Sequence, residues 1–240
     1  MELSIVIPVF EEELKITRDI EKAAGFLTTN KIEGEIIIVD DGSKDKTADT
    51  AKNIEVPSSV KLIVSRYEQH RGKGYAVRTG IRQTTGRYVM FADSGCCVPY
   101  EDALRGLELI KKDACDIAHG SRKLQGCHIE KAQSLYRRLC SKMFHWFVIR
   151  DMKIPAELTD TQCGFKIYKG DIARHLYGEC ISDGFAFDIE IIVRARKEGC
   201  RIKEFPIAWT CDRDSRLSPT RSSWRILSEL LNIKRSIADI

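Results

Sequence analysis

The chain has 240 residues, long enough for one sizeable α/β domain with an ample core. Its net charge of +4 is too small to indicate nucleic-acid binding without a concentrated basic patch, so we expect no nucleic-acid partner. The nine cysteines include no C-x-x-C pair. This spacing argues against a zinc cluster or a disulfide framework and favours reduced thiols in a cytoplasmic protein.

The sequence predicts no membrane-spanning segment. No stretch approaches the ~18 consecutive apolar residues that such a helix requires. The chain opens on Met1 to Leu3 and passes straight into an apolar strand, without the pattern of a signal peptide. We therefore expect a protein of the cytoplasm that does not cross a membrane, and a peripheral position on the cytoplasmic membrane face stays open.

The first hundred residues alternate between strand and helix patterns. The predicted strands are 4–8, 35–39, 60–65 and 88–92, and the predicted helices are 11–27, 45–53 and 72–84. The segments at 35–39 and 88–92 lack polar alternation, which is typical of strands buried on both faces. Regular alternation with short polar turns predicts a parallel sheet with right-handed crossovers.

Beyond residue 101 the alternation becomes less regular. The predicted helices are 101–112, 130–149, 171–177, 187–198 and 222–237, and the predicted strands are 116–121, 164–168 and 201–210. No internal repeat and no low-complexity linker divides the sequence. We therefore expect a single domain over residues 1–240.

Three carboxylates follow predicted strands of the first half. Glu12, Asp41 and Asp93 come after the first, second and fourth strands. Because the carboxyl ends of parallel strands meet at one edge, where α/β sheets bind ligands, these side chains are expected to lie close together. The alternative for each is a helix N-cap, which we favour for Ser43 and Asp45. For Asp41 and Asp93, which directly follow buried strands, we favour a functional role.

A glycine-rich basic turn precedes the helix at 72–84. It runs from His70 to Gly74, and Arg78 lies one helical turn further on. Backbone N–H groups at a helix N-terminus, together with Lys73, suit a diphosphate. The spacing matches neither the P-loop nor the dinucleotide fingerprint, so the turn alone does not identify the ligand. We expect His70 itself to be structural or solvated.

The order of the motifs is more specific than any one of them. In the first half they are Ser4 to Glu13, Val39 to Thr47, Gly72 to Arg78 and Phe91 to Asp93. In the second half they are Gly120 to Arg122, Asp160 to Lys166, Phe185 to Glu190 and Glu204 to Trp209. This ordered set resembles the family 2 glycosyltransferases with the GT-A fold. Its second half is similar to the polyprenyl-phosphate branch, and the string from Asp160 to Lys166 is most similar to the dolichyl-phosphate glucosyltransferases.

The resemblance implies a fold and an activity. The fold is an α/β GT-A domain with a Rossmann-like, mostly parallel sheet flanked by helices. The activity is inverting transfer of a sugar from a nucleotide diphosphate to a polyprenyl or dolichyl phosphate, with UDP-glucose favoured over GDP-mannose as donor. Residues 1–100 would form the nucleotide-binding half and residues 101–240 the acceptor-binding half.

The resemblance also implies roles for individual residues. The candidates for binding the nucleotide sugar are Pro8, Phe10, Glu12, Asp41, Lys73, Arg78, Asp93 and Ser94. The candidates for binding the acceptor phosphate are Arg122, Arg137 and Ser141. Asp93, Asp160 and Asp188 are the candidates for the reacting centre. The alternative for Asp160 and Asp188 is a cap at a turn or helix.

The segment at 130–149 is basic on one side and aromatic on the other. Arg137 and Ser141 would share one face of this helix, since they are four residues apart. A solvated basic face and a buried aromatic core are the ordinary alternatives. We favour a helix that lies on a membrane surface, with its aromatic side toward the lipid.

The metal-binding motif departs from the family pattern. Related enzymes usually read Asp-x-Asp where this chain reads Asp93, Ser94 and Gly95, and Cys97 stands two positions further on. The second carboxylate is missing. Because Mg²⁺ needs only one or two protein carboxylates besides the phosphates of its ligand, we expect Mg²⁺ or Mn²⁺ to bind in a donor-dependent way. Two alternatives stay open. One is a transferase for soluble or polysaccharide acceptors. The other, suggested by the changed motif, is a non-catalytic protein that binds nucleotide sugars or lipids.

Overall fold

The computed structural model describes most of the chain. The described residues are 1–125, 127–129, 152, 154, 157–210 and 219–238. The predicted helix at 130–149, with Arg137 and Ser141, lies outside them. Among the described residues, no helix combines the length and the apolar character that crossing a membrane requires.

A seven-stranded sheet forms the centre of the protein, in the order β3-β2-β1-β4-β7-β5-β8. Strands β6 and β9 pair separately in a two-stranded ladder. The strands are β1 (Leu3–Val9), β2 (Gly34–Asp40), β3 (Val60–Arg66), β4 (Tyr88–Ala92), β5 (Ile117–Ser121), β6 (His128–Ile129), β7 (Phe165–Lys169), β8 (Ile202–Pro206) and β9 (Ala208–Trp209). Every residue of β1, β2 and β4 is buried, as their continuous apolar runs predicted.

Helices cover both faces of the sheet. They are α1 (Ile16–Thr29), α2 (Thr47–Lys52), α3 (Lys73–Ile81), α4 (Ala103–Lys111), α5 (Gly170–Gly178), α6 (Phe187–Lys197) and α7 (Pro219–Ala238). A 3₁₀ turn at Tyr100–Asp102 precedes α4. Helices α1 and α4 pack on one face of the sheet, and α3, α5 and α6 pack on the other. Helix α7 packs against the outer side of α6 through a third apolar cluster.

Strand β7 does not have the parallel direction that was predicted for the strands of the sheet. The first four strands are parallel to one another, but β7 runs antiparallel to both β4 and β5. Ala92, the last residue of β4, pairs with Phe165, the first residue of β7. Since β7 starts at the edge where β4 ends, the segment from Asp160 to Gly164 is brought directly to Asp93. The site depends on this reversal.

Two predicted boundaries were wrong. Helix α1 begins at Ile16 rather than at residue 11, because residues 11–15 form a turn in which Glu11 has a φ of 52°. The predicted last strand, 201–210, is divided at Ile207 into β8 and β9.

Candidate functional site

Two oppositely charged pairs lie at the carboxyl edge of the sheet. The first joins Lys73, the first residue of α3, to Asp93, the residue that follows β4: Nζ lies 2.6 Å from Oδ1. The amide of Asp93 donates to the carbonyl oxygen of Gly164 at 2.8 Å. A Cβ atom at Gly164 would lie 2.2 Å from the carboxyl group of Asp93. Glycine is therefore required for this close approach.

The second pair joins Arg122, which follows β5, to Asp160. Arg122 donates from Nε to Oδ2 at 2.6 Å and from Nη2 to Oδ1 at 2.7 Å, a bidentate arrangement. Burial acts to raise the pKa of Asp160, but hydrogen bonds and charge attraction from Arg122 outweigh it and lower that pKa. The guanidinium carbon lies 5.2 Å from the ring centroid of Trp209, so the aromatic ring helps to fix the guanidinium plane.

Asp160 is held from behind by Glu204, on β8. The amide of Asp160 and the hydroxyl of Thr159 each donate to the carboxylate of Glu204 at 2.8 Å. The Thr159 hydroxyl also lies 3.0 Å from that of Ser121. Glu204 belongs to one of the sequence motifs, but nothing in its spacing indicates this contact with a residue 44 positions away.

Lys166 and Asp188 form a buried pair next to the first one. Lys166 on β7 is 1% exposed and contacts the carboxylate of Asp188, in the first turn of α6. Asp188 also acts on Lys73: burial lowers the pKa of Lys73, but Asp93 and Asp188 together raise it above its ordinary value. Negative and positive charges therefore alternate from Asp93 through Lys73 and Asp188 to Lys166. Lys166 was not predicted as a site residue, and a lysine inside an otherwise apolar strand is the sequence signal that could have identified it.

Asp41 holds the glycine-rich turn in place. Its Oδ1 accepts from the Tyr67 hydroxyl at 2.7 Å and from the amide of Arg71 at 2.8 Å, and its Oδ2 accepts from the amide of Gly72 at 2.9 Å. His70 Nδ1 lies 2.9 Å from the same Oδ2. The carboxylate thus positions the turn, and its predicted contact with the nucleoside stays a prediction.

The N-terminus of α3 is already capped by another part of the chain. The amides of Gly74 and Tyr75 donate to the carbonyl oxygens of Gly184 and Asp183, at 3.2 and 3.1 Å. The predicted use of these amides for a diphosphate does not fit this arrangement, because their hydrogen bonds are made. At this end of α3, the side chain of Lys73 is the predicted cation that reaches Asp93.

Arg78 lies apart from Asp93. Its guanidinium donates to the carbonyl oxygen of Cys180 at 2.6 Å and to the carboxylate of Asp183 at 2.5 Å, and it is buried. Arg78 therefore anchors the segment that caps α3, and the structure does not bring it to the charged pairs.

The remaining nucleotide-site candidates lie on neighbouring turns. Pro8 is buried within β1, opposite Val39. Phe10 stacks on His70 with ring centroids 4.1 Å apart. Glu12 lies in the turn before α1, where its amide donates to the hydroxyl of Thr47 at 2.8 Å. This group surrounds the carboxyl ends of β1 and β2, where the family motif predicts the nucleoside.

The two predicted caps have different outcomes. Asp45 accepts from the amide of Thr47, the first residue of α2, at 3.0 Å, which agrees with a capping role. Ser43 instead accepts from the amide of Glu11 at 2.7 Å, across the turn after β1, so its prediction as a helix cap was wrong.

The loop after Asp93 is held by α1. The carboxylate of Asp19, 1% exposed, accepts from the amide of Gly95 at 2.7 Å and from the thiol of Cys96 at 3.0 Å. Arg18 donates to the carbonyl oxygen of Gly95 at 2.8 Å. These contacts hold Gly95 and Cys96 at φ values of 90° and 48°, which glycine accepts and cysteine rarely adopts. Asp19 was not predicted, although an acidic residue on the buried face of an amphipathic helix is a signal that could have identified it.

The residues present fit a divalent metal only together with a ligand. Within the described ranges, no three His, Cys, Asp or Glu side chains are grouped as a metal site. Asp93 can supply one carboxylate, which suits Mg²⁺ or Mn²⁺ when phosphates and water complete the coordination shell. Ser94 lies between Asp93 and Gly95 in the chain, and its predicted contact with the donor stays a prediction.

A small cavity separates the two charged pairs. Asp93, Arg122, Cys97, Cys163 and Trp209 are among its lining residues, and its volume is about 40 Å³. This is roughly the space of one water molecule, whereas pockets for small ligands have ~300 Å³ or more. The charged groups that line it, Asp93 and Arg122, are already paired with Lys73 and Asp160.

Solved structures with the same fold have low sequence identity. Glucosyl-3-phosphoglycerate synthase from Mycobacterium tuberculosis, solved with Mn²⁺ and uridine-diphosphate-glucose, superposes with a TM-score of 0.69 at 16% identity, over 97% of this chain and 78% of that one. A mannosyltransferase from Pyrobaculum calidifontis, solved with GDP-Man and Mn²⁺, superposes with a TM-score of 0.68 at 16% identity, over 100% of this chain and 64% of that one. The predicted α/β GT-A fold is confirmed.

Curated relatives match nearly the whole chain. A dolichyl-phosphate beta-glucosyltransferase from Dictyostelium discoideum is 31% identical over 242 residues, which cover 97% of this chain and 73% of that protein. The protein of the same name from Homo sapiens is 30% identical over 255 residues, which cover 97% of this chain and 75% of that protein. The family model "Glycosyl transferase family 2" matches residues 4–177. The chain is therefore a glycosyltransferase, and it belongs to glycosyl transferase family 2.

Proposed function

We propose that this glycosyltransferase moves glucose from UDP-glucose to dolichyl phosphate, with inversion at the anomeric carbon. The observation that carries the proposal is the match over 97% of the chain to relatives named for dolichyl-phosphate glucosyl transfer. The site geometry supports it, because Lys73 and Arg122 place two cations at one sheet edge. Such a reaction brings two phosphate-bearing substrates together, and their mutual repulsion requires positive charge.

The reaction does not require a strong general base. A phosphate monoester has its second pKa near ~6, so the acceptor is mostly dianionic at neutral pH and is already a nucleophile. The role we assign to Arg122 is to bind this phosphate through the donors that Asp160 does not use. Attack from the side opposite the leaving UDP forms the new bond at the anomeric carbon as the bond to UDP breaks, which inverts the configuration.

Asp93 is the residue that would hold Mg²⁺ or Mn²⁺ against the donor diphosphate. The bound ion would supply charge that stabilises the leaving UDP. Lys73 neutralises the same phosphates from the α3 side. Asp188 and Lys166 fix the position of Lys73, and Glu204 fixes that of Asp160. We also propose the division of labour implied by the motifs, with the donor bound by residues 1–100 and the acceptor by residues 101–240.

The identity of the donor nucleotide sugar is supported by fewer observations than that of the acceptor. The two solved structures named above contain a uridine and a guanosine nucleotide, and their TM-scores differ by 0.01, so the fold does not discriminate between the bases. The names of the sequence relatives favour glucose, and hence UDP-glucose over GDP-mannose.

A donor and acceptor matrix tests the proposal. Purified protein is incubated with radiolabelled UDP-glucose or GDP-mannose, each with dolichyl phosphate, a soluble sugar or no acceptor, and with Mg²⁺ or Mn²⁺. We expect label in the organic phase only with UDP-glucose and dolichyl phosphate. Label on the soluble sugar would support the alternative acceptor class. Nucleotide binding by calorimetry without transfer to any acceptor would support a non-catalytic protein.

We further propose that the protein acts on the membrane surface, because its acceptor is a lipid. The candidate contact is the segment at 130–149, with Arg137 and Ser141, which lies outside the described residues. Flotation of the protein with vesicles that contain dolichyl phosphate tests this point. We expect the protein in the vesicle fraction, and recovery of all of it in the bottom fraction would contradict peripheral attachment.

A further inference from the structure

We propose that Lys73 is an internal counter-cation that competes with the divalent metal for Asp93. In the free protein Lys73 neutralises Asp93 and weakens metal binding. When a nucleotide diphosphate binds, the ammonium group of Lys73 pairs with the phosphates instead of with Asp93. The carboxylate of Asp93 then becomes available to the metal. The inference rests on the proposed function only in that a nucleotide diphosphate binds beside Asp93.

The first support is the geometry of the pair. Nζ of Lys73 lies 2.6 Å from Oδ1 of Asp93 and 5.3 Å from the ring centroid of Phe91. Lys73 is the first residue of α3, and its helix is fixed by the amide contacts to Gly184 and Asp183. The ammonium group is thus held at the carboxylate by an anchored backbone, and the pair is not a chance contact between long surface side chains.

The second support is the cost of placing two cations on one carboxylate. Mg²⁺ binds a carboxylate oxygen at ~2.0–2.1 Å, so it would lie within a few Å of the ammonium group. At such distances the repulsion between like charges is large, even at the effective dielectric constant of a protein surface. Either Lys73 leaves Asp93 or the metal binds weakly. The free protein therefore opposes metal binding through its own lysine.

The third support is the buried pair behind Lys73. Asp188 attracts Lys73 as Asp93 does, and Lys166 balances Asp188. Lys73 pairs with Asp93 and is attracted by Asp188, so its removal would leave Asp93 without its cation while the negative charge of Asp188 remains. A second cation would then be attracted rather than repelled. Lys73 thus keeps the single-aspartate site neutral when no metal is bound.

The arrangement predicts positive coupling between nucleotide and metal. The diphosphate gives Lys73 a new anionic partner, so Asp93 is released for the metal, and each ligand strengthens the binding of the other by the same factor. Without Lys73 that part of the coupling disappears. The apparent metal affinity of the free protein and the size of the coupling therefore both depend on this side chain.

The test is a titration of Mn²⁺ with the full chain, followed by the electron paramagnetic resonance signal of free Mn²⁺. It is done without nucleotide, with UDP and with GDP. We expect Lys73→Met to bind Mn²⁺ about tenfold or more tightly than the original protein when no nucleotide is present. We expect the enhancement by the nucleotide to shrink by a similar factor. Lys73→Arg, which keeps the charge, should resemble the original protein.

The matched control is Lys111→Met, which makes the same change in net charge. Lys111 pairs with Glu2, before β1 and thus at the opposite edge of the sheet, so this variant should bind Mn²⁺ as the original protein does. If Lys73→Met does not fold, as judged by circular dichroism, Lys73→Gln takes its place. Mn²⁺ affinity without nucleotide that is unchanged in the neutral variant would overturn the proposal.

This outcome is separable from the proposed function. The titration contains no acceptor and no sugar, so a protein that transfers nothing to dolichyl phosphate still shows or lacks the competition. The nucleotide-free arm decides the proposal even if neither UDP nor GDP binds. Conversely, glucose transfer to dolichyl phosphate with unchanged Mn²⁺ affinity in Lys73→Met would leave the function standing and remove the counter-cation.

Discussion

At the residue scale, Arg122 is a cation whose geometry matters as much as its charge. The bidentate contact with Asp160 fixes the guanidinium plane over Trp209 and leaves other donors free to point elsewhere. A lysine at this position would keep the charge but would lose the planar fork. Binding of the acceptor phosphate should therefore weaken when Arg122 is replaced, even by a residue of the same charge.

Arg122→Lys is predicted to raise the KM for dolichyl phosphate about tenfold or more and to leave the KM for the donor unchanged. The reason is that lysine binds a phosphate as a point charge and cannot hold the orientation set by Asp160. Steady-state kinetics with each substrate varied in turn measures this split. Arg105→Lys, an exposed arginine that donates to the carbonyl oxygen of Pro206, is the control with unchanged constants. A parallel rise in both KM values would contradict the assignment.

His119 is a buried histidine whose two ring nitrogens have no hydrogen-bond partner among the described residues. It is 1% exposed and lies on β5 opposite Lys166. Burial, reinforced by the nearby charge of Lys166, holds the pKa of His119 well below its ordinary value. The folded protein therefore keeps this ring neutral where the unfolded chain would protonate it.

The pKa of His119 is lower in the folded protein than in the unfolded chain. The contribution of His119 to stability is therefore complete above the pKa of the unfolded chain and is lost as the pH falls below it. We predict that the free energy of unfolding falls by up to ~1.4 kcal/mol per pH unit below about pH 6.5 through this group alone. His119→Leu should flatten the slope between pH 6.5 and 5. Urea denaturation at several pH values measures both proteins. Equal slopes in the two would show that His119 does not titrate on unfolding in this range.

At the element scale, the antiparallel strand β7 creates the site. It delivers Asp160 to Gly164 at the end of β4, and the contact between Gly164 and Asp93 leaves no room for a side chain. Helix α1 holds the other side of the same loop through Asp19. The position of Asp93 is therefore determined by β7 and α1, two elements far apart in sequence. Their contacts hold the short polar loop that contains Asp93.

Gly164→Ala is predicted to displace the carboxylate of Asp93 and to reduce kcat/KM about 100-fold. The new Cβ would lie 2.2 Å from that carboxyl group, and misplacing a catalytic group by ~1 Å can cost a factor of this size. Overpacking should also lower the free energy of unfolding by about 1–3 kcal/mol.

The matched control is Gly25→Ala in α1, where a Cβ meets no atom within 4 Å. That variant should keep full activity and gain about 0.5–1 kcal/mol, since alanine is the better helix former. Glucose transfer rates and thermal denaturation compare the two. Full activity in Gly164→Ala would show that the close approach is not needed.

At the scale of the whole molecule, the sequence was sufficient where a feature is local. The continuous apolar runs of β1, β2 and β4 predict buried strands, and the structure confirms them. The family was also recognisable, because the motifs follow one another in a fixed order. Arg122 and Asp160 lie in two of these motifs. Each was predicted as a site residue, but their pairing was not.

The features that the sequence could not predict all depend on contacts between distant segments. The direction of β7 is decided by its neighbours β4 and β5, and no periodicity within Phe165–Lys169 encodes it. The amides of α3 looked available for a phosphate, but the segment at Asp183 and Gly184 caps them. Arg78, a candidate from its motif, already donates to Cys180 and Asp183. A pattern shows which groups are polar, whereas only the fold shows which partners they already have.

The central claim is that this protein transfers a sugar from a nucleotide diphosphate to a lipid phosphate at the edge of the sheet that holds Asp93 and Arg122. The most direct measurement is the transfer of radiolabelled glucose from UDP-glucose to dolichyl phosphate by the purified protein, beside Asp93→Asn. We predict organic-extractable label with the original protein and a loss of about 100-fold or more in the variant. Equal transfer by the two proteins, or no lipid-linked label with any common nucleotide sugar, would contradict the account.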